Sequence, residues 1–133
     1  MSQLSTDDRL AIAELVARYC HAIDRGRWEE LDSLFTDDCR LDFGKVMGVF
    51  EGRAGIDRFI STMRAAGLFM RHYTTNLVVR GEGAHAQSEC YVLAMTGAPG
   101  SLQQTTGRYD DEFVKIDGAW RFRVRRALIE MPG

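Results

Sequence analysis

The residue types that could transfer a proton in this sequence begin with Asp24, which stands at the end of a helical pattern in "RYCHAIDRGRW". Asp24 continues the apolar row formed by Ile12, Val16 and Cys20, and side chains spaced in this way share one face of a helix. A carboxylate at a helix C-terminus costs about 0.3–1 kcal/mol, and an unpaired buried carboxylate costs far more. Two interpretations stay open: Asp24 is solvated or paired with a neighbouring Arg, or it has a partner inside the protein.

A candidate partner lies in the stretch "RHYTTNLVVR", whose alternation predicts a strand. The strand period places His72, Thr74 and Asn76 on one face, as in a pocket lined by a few polar groups. A hydrogen bond from one ring nitrogen of His72 to Asp24 would fix the tautomer and leave the other nitrogen free to accept a proton. The two residues therefore predict a His–Asp dyad. The alternative is that His72 is a satisfied core or interface histidine.

Tyr19 precedes Asp24 on the same helix and is the third candidate. An inward phenol there could donate a hydrogen bond to a substrate oxygen, or it could pack in the core with its hydroxyl at the rim. Six other aromatic residues are interpreted as packing and cavity walls; they are Trp28, Phe35, Tyr109, Phe113, Trp120 and Phe122.

Composition argues against several classes of function. The chain of 133 residues carries 17 basic and 19 acidic residues, with a net charge of −2, so neither a nucleic acid nor a membrane surface is expected as a partner. Cys20, Cys39 and Cys90 lack metal-ligand spacing and predict buried free thiols, with no metal and no disulfide. The absence of a signal-like segment and of a long apolar run predicts a cytoplasmic protein.

The predicted elements are helices first and antiparallel strands afterwards, which indicates one α+β domain over residues 1–133. A helix is expected from a cap at Ser5 or Thr6 to about residue 25, ended by Gly26 in a left-handed conformation. A second helix follows until "TDDC" breaks it, and a third covers 54–67. Strands are expected at "CRLDFG" and "VFEG", and over 70–80, 85–96, 102–116 and 119–130.

Three stretches of the chain resemble the SnoaL-like proteins of the nuclear transport factor 2-like superfamily. They are "LVARYCHAIDRGRWEELDSLFTDDCRLDF", "RHYTTN" and "YDDEFVKIDGAWRFRVRR". The resemblance implies a cone-shaped α+β domain in which three N-terminal helices pack on a curved, mainly antiparallel sheet that encloses a cavity. It also implies a homo-oligomer, a dimer or trimer, because relatives bury the open face of the sheet.

Within that superfamily the chain looks most like the branch of scytalone dehydratase, bile acid 7α-dehydratase and hexachlorocyclohexane dehydrochlorinase. The resemblance implies that His72 is the base, that Asp24 orients it and that Tyr19 contacts the substrate. Arg125 is the nearest candidate for a late-strand arginine that serves some relatives, although Arg121, Arg123 and Arg126 compete for that role. Asn76 and Phe43 complete the candidate substrate-binding residues; Phe43 stands where scytalone dehydratase has a Tyr, so scytalone is not the expected substrate.

These residues predict a cofactor-free, dehydratase-like lyase that acts on a small hydrophobic cyclic or polycyclic molecule. An isomerase or a polyketide cyclase would use the same dyad, since each begins by removing a proton from carbon. A rival from another class is a non-catalytic ligand-binding or assembly subunit, similar to the β-subunits of ring-hydroxylating dioxygenases. An epoxide hydrolase would need a second inward carboxylate, and the pattern offers no convincing one.

Overall fold

The first helix begins at a capping box. The Ser5 hydroxyl accepts a hydrogen bond from the Asp8 N–H at 3.0 Å, and the Asp8 carboxylate accepts one from the Ser5 N–H at 3.2 Å. In the computed structural model, which describes residues 2–131, helix α1 runs over Thr6–Asp24. Gly26 follows with a φ of 67°, the left-handed conformation that glycine adopts without strain. The predicted start and end of this helix are therefore confirmed.

Three further helices and six strands complete the described chain. The helices are α2 (Trp28–Ser33), α3 (Gly44–Met47) and α4 (Gly52–Ala66). The strands are β1 (Phe35–Asp42), β2 (Val49–Glu51), β3 (Phe69–Glu82), β4 (His85–Ala98), β5 (Ser101–Ile116) and β6 (Ala119–Ile129).

The strands form one curved sheet in the order β2-β1-β6-β5-β4-β3, which does not close into a barrel. Only the β1–β6 pair is parallel among the strand pairs of residues 2–131. Helix α1 packs along β3, and α4 packs against β1 and β2. The prediction of helices on a curved, mainly antiparallel α+β sheet is confirmed.

The structure differs from the predicted elements in two places. The second helix ends at Ser33, before "TDDC", because β1 already begins at Phe35 and carries a register shift before Arg40. The short helix α3 was not predicted; its four residues are too few to produce a helical period.

Aromatic side chains fill much of the space between helices and sheet. Tyr19, Phe35, Phe113 and Phe122 form one group, with ring centroids 5.1–6.2 Å apart. Phe43, Phe50 and Phe59 form a second group. The three cysteines are buried free thiols, as predicted. Within residues 2–131 no helix is long and apolar enough to cross a membrane, and no cluster of His, Cys, Asp and Glu could hold a metal ion.

Asp8 also fastens the start of α1 to the β5–β6 hairpin. Its carboxylate accepts hydrogen bonds from the Trp120 indole Nε1 and from Lys115 Nζ, each at 3.0 Å. These bonds, together with those of Ser5, hold the pKa of Asp8 well below its usual range. The ionised form therefore stabilises the folded chain.

We predict that Asp8→Asn lowers the melting temperature at neutral pH. The pKa of Asp8 is lower in the folded than in the unfolded chain, so its stabilisation is complete above the ordinary pKa of about 4 and is lost as pH falls through the depressed value. The difference in melting temperature between wild type and variant should narrow toward about pH 2. Thermal melts followed by circular dichroism measure it, with Asp7→Asn as the control because Asp7 is an exposed neighbour. A difference that stays constant with pH would contradict the assignment.

Candidate active site

The end of α1 meets the edge of the sheet at Asp24 and His72. Asp24 Oδ1 lies 2.5 Å from His72 Nδ1, and Asp24 Oδ2 accepts a hydrogen bond of 2.8 Å from the His72 backbone N–H. The side chains are only 6% and 12% exposed, respectively. Asp24 is thus a buried carboxylate with two donors, not a solvated helix end.

The sheet topology explains why those donors are available. Strand β3 is an edge strand, so some of its backbone N–H groups have no neighbouring strand to bond. The N–H of His72 is one of them, and the last residue of α1 accepts it. The helix end and the strand edge therefore satisfy each other, and the same carboxylate orients the imidazole.

His72 also lines a cavity of about 430 Å³ between the helices and the inner face of the sheet. The exposed end of the cavity, the mouth, is formed by Val46, Leu68, Leu128 and Ile129. The closed end, the floor, is formed by Tyr19, Phe59 and Tyr109. The polar lining residues are His72, the two tyrosines and four threonines (Thr62, Thr96, Thr105 and Thr106). No Lys, Arg, Asp or Glu of residues 2–131 is among the residues that line this cavity. The cavity suits an uncharged, mainly apolar molecule.

Tyr19 is packed in the core and also borders the cavity. Its side chain is 1% exposed and packs edge-on against Phe35, Tyr109 and Phe122. It nevertheless lines the cavity floor. Phe43 lies in the cavity wall, where it stacks on Phe59 with ring centroids 5.3 Å apart.

The predicted position of Asn76 beside His72 is wrong. The register of β3 against β4 shifts between Thr75 and Val78, and Asn76 adopts a left-handed φ of 59° within that irregularity. A bulge reverses the alternation of side chains, so Leu77 and Val79 pack on the core while Asn76 is exposed on the other side of the sheet. Asn76 is therefore excluded from the cavity.

The predicted substrate contact of Arg125 is also wrong. Arg125 is fully buried beneath the floor, where Nε and Nη2 donate to the two carboxylate oxygens of Asp111 at 2.9 and 2.8 Å. It does not line the cavity. Asp111 is a second inward carboxylate, which the sequence pattern did not indicate, but this ion pair and its position keep it from acting on a bound molecule.

Tyr109 was predicted to be packing and cavity wall, and it does line the cavity; its position on the buried floor beside Arg125 was not predicted. The residues Tyr109, Asp111 and Phe113 alternate along β5, and all three are buried on its inner face. That period, together with the inward-facing Arg125 on the neighbouring strand, is the signal that could have found the buried group.

Comparison with known proteins identifies the family of this chain. Residues 5–126 match the family described as SnoaL-like domain, so the chain belongs to that family and has the nuclear transport factor 2-like fold. An uncharacterised protein of Mycobacterium tuberculosis (strain ATCC 25618 / H37Rv) is 32% identical over 130 residues, which span 95% of this chain and 87% of that protein.

Solved structures agree on the fold. A proposed aromatic ring hydroxylase from Novosphingobium aromaticivorans is 32% identical, with a TM-score of 0.87 over 98% of this chain and 94% of that one. A proposed scytalone dehydratase from the same organism is 24% identical, with a TM-score of 0.82 over 94% and 85% of the two chains. The β-subunit of a proposed aromatic-ring-hydroxylating dioxygenase, also from that organism, is 22% identical, with a TM-score of 0.78 over 92% and 89%.

We predict that Asp24 fixes the tautomer of His72. The carboxylate should hold the proton on Nδ1, and the short contact should move that proton's NMR resonance far downfield. In Asp24→Asn the downfield resonance should disappear while the amide oxygen still accepts the backbone N–H of His72. Asp24→Ala removes both acceptors and should destabilise the fold more, by about 1–3 kcal/mol. An unchanged His72 Nδ1 resonance in Asp24→Asn would show that the carboxylate does not hold that proton.

A second prediction concerns the buried ion pair. Asp111→Asn leaves the Arg125 charge buried without a counterion and should cost about 3–5 kcal/mol in the free energy of unfolding. The double variant Asp111→Asn/Arg125→Gln removes both charges and should recover part of that loss. Chemical denaturation of the wild type and the three variants, including Arg125→Gln, measures the coupling. Additive losses would contradict it.

Proposed function

We propose that the protein is a cofactor-free lyase of the dehydratase type that acts on a small, uncharged cyclic or polycyclic molecule. The observation that carries the proposal is that a buried carboxylate holds Nδ1 of His72 at the wall of an otherwise uncharged cavity. A base whose one nitrogen is fixed can accept a proton with the other.

In the proposed reaction, His72 Nε2 removes a proton from the carbon next to a carbonyl, and the electrons of that C–H bond form an enolate. Collapse of the enolate expels a hydroxyl group from the neighbouring carbon, and the proton held by His72 goes to that hydroxyl, so that water and an unsaturated ketone leave. Asp24 stabilises the imidazolium formed in between. Tyr19 donates a hydrogen bond to the substrate oxygen.

The expected rate enhancement requires both a general base and an enclosing cavity. A positioned general base contributes about 10²–10⁴-fold, and enclosure with correct orientation must supply the remainder. A cavity of about 430 Å³ with an apolar lining provides that enclosure. The likeness to structures described as a scytalone dehydratase and an aromatic ring hydroxylase supports a cyclic substrate, as a proposal for this chain.

Two other functions are compatible with the same fold and cavity. An isomerase or polyketide cyclase would share the proton-removal step and differ only in the fate of the enolate. The likeness to a dioxygenase β-subunit favours, as the second candidate, a role as an assembly subunit. Tyr73, Tyr91 and Leu93 are exposed on the outer face of the sheet, which supports the expectation of a homodimer or trimer.

We predict that the protein exchanges the α-protons of bicyclic ketones and β-hydroxyketones with D₂O. This exchange reports the shared first step whether or not water is then lost. His72→Gln should slow it by about 10²–10⁴-fold, because it removes the base. NMR of the ketone measures the rate, and β-hydroxyketones that also lose water identify the dehydratase.

The control for this experiment is His85→Gln, since His85 is exposed and far along β4 from the cavity. It should leave the exchange rate unchanged. Equal rates in wild type and His72→Gln would contradict the proposed base. The absence of exchange with every ketone, together with copurification of a larger iron–sulfur subunit, would favour the assembly role.

A further inference from the structure

Two phenols lie together at the cavity floor. The rings of Tyr19 and Tyr109 are 6.0 Å apart between centroids, with an interplanar angle of 76°, and both line the cavity. Strand register places His72 level with Ala94 and Thr105, whereas Tyr109 lies four residues further along β5. Tyr109 therefore lies two inward-facing positions deeper than His72 on the same face of the sheet.

A cation lies directly beneath these phenols. Arg125 Cζ is 3.8 Å from the ring centroid of Tyr109 and 4.3 Å from that of Tyr19. A guanidinium stays charged at all ordinary pH values. Asp111 binds Nε and Nη2 of Arg125, while Nη1 is buried and has no hydrogen-bond partner among residues 2–131. One side of the guanidinium is thus committed to the carboxylate, and its central carbon lies over the rings of both tyrosines.

The cation changes what the phenols can do. Burial raises the pKa of Tyr19, and Arg125 is the largest influence in the opposite direction. Burial, and then Tyr19, raise the pKa of Tyr109, which Arg125 also opposes. A positive charge against an aromatic face draws electron density from the ring, so the O–H becomes a stronger donor. Donors of this kind in a water-excluding site favour an oxygen that gains negative charge.

We infer that Tyr109 and Tyr19 together form an oxyanion site that binds the carbonyl oxygen of the substrate, and that Arg125 is a positioning residue that strengthens this site through the rings. The inference rests on the proposed function and narrows its substrate class to ketones whose oxygen reaches the floor while the acidic C–H lies beside His72. Arg125 does not line the cavity and does not touch the substrate, so its charge acts only through the two phenols.

The test uses 4-nitrophenol, whose ionised oxygen on a ring resembles an enolate and whose visible absorbance reports ionisation. Affinity is measured below and above the pH at which the probe ionises. Tyr109→Phe should raise the Kd of the phenolate roughly tenfold to a hundredfold, and that of the neutral phenol less, since bonds to charged acceptors are stronger. Tyr19→Phe should act in the same way, and Tyr73→Phe, on the exposed outer face, should change neither Kd.

If Tyr109 only packs, Tyr109→Phe keeps the ring and should change both Kd values by less than about twofold, or change them equally. Either result would overturn the oxyanion site. Repeating the titrations in a His72→Gln background prevents the imidazole from taking the proton of the probe.

The role of Arg125 is tested with a variant that removes Asp111 as well, so that no buried charge is left without a counterion. In Asp111→Asn/Arg125→Gln the phenols remain but the preference for phenolate over phenol should fall severalfold. Arg125→Lys is the variant to use if the double variant does not fold. It keeps the charge but loses the planar guanidinium, so its preference for phenolate over phenol should be intermediate. A preference that is unchanged in a folded double variant, or in Arg125→Lys when that is the variant that folds, would overturn the positioning role.

Binding of this probe involves no reaction, so its outcome is separate from that of the proposed function. A phenolate preference that depends on Tyr109, found without ketone exchange, would contradict the lyase and leave the oxyanion site standing. Normal exchange without that preference would contradict only this inference.

Discussion

The contact between Asp24 and His72 is the constraint on which the arrangement of the site depends. A buried carboxylate at a helix C-terminus is unfavourable by itself, because it loses water and meets the negative end of the helix dipole. An edge strand is unfavourable in the complementary sense, since it carries unpaired N–H groups. Joining the two removes both costs and fixes α1 against β3 at one point. The same contact orients the imidazole within the cavity wall, so the packing of α1 and the geometry of the candidate site depend on one interaction.

The parts of this arrangement that sequence reasoning could predict are those set by a local period. The row from Ile12 to Asp24 and the strand around His72 both follow regular geometry. Asp24 and His72 are each unusual on an apolar face, and each therefore predicted the other as its partner. Asn76 shows where such reasoning ends. A bulge depends on how one strand meets its neighbour, and a single left-handed residue reverses every later side chain, which no period within β3 reveals. The helix α3 was missed because four residues carry no period.

Arg125 could not be placed for a different reason. Four arginines lie close together in β6, and alternation alone does not say which of them is neutralised inside the core. Its position is decided by Asp111 on the adjacent strand, directly opposite in the register of β5 and β6. Burial of a guanidinium is tolerable only when a carboxylate meets it in two-point geometry, as here. The choice of arginine is therefore a property of the strand pair and not of either strand.

These two buried pairs leave the cavity without a charged side chain while charges lie just behind its lining. Asp24 stands behind the imidazole, and Arg125 stands behind the phenols, at opposite depths of the inner surface. In the proposed reaction, an uncharged ketone would meet the proton acceptor part of the way in and the hydrogen-bond donors at the floor, and only one end of the ketone would match each. The Thr96 and Thr105 side chains lie on the mouth side of the floor, between the apolar mouth and the two phenols. For the proposed reaction, such an ordering favours entry with the carbonyl leading, which leaves the hydroxyl group on the mouth side, where it takes the proton held by His72 and departs as water.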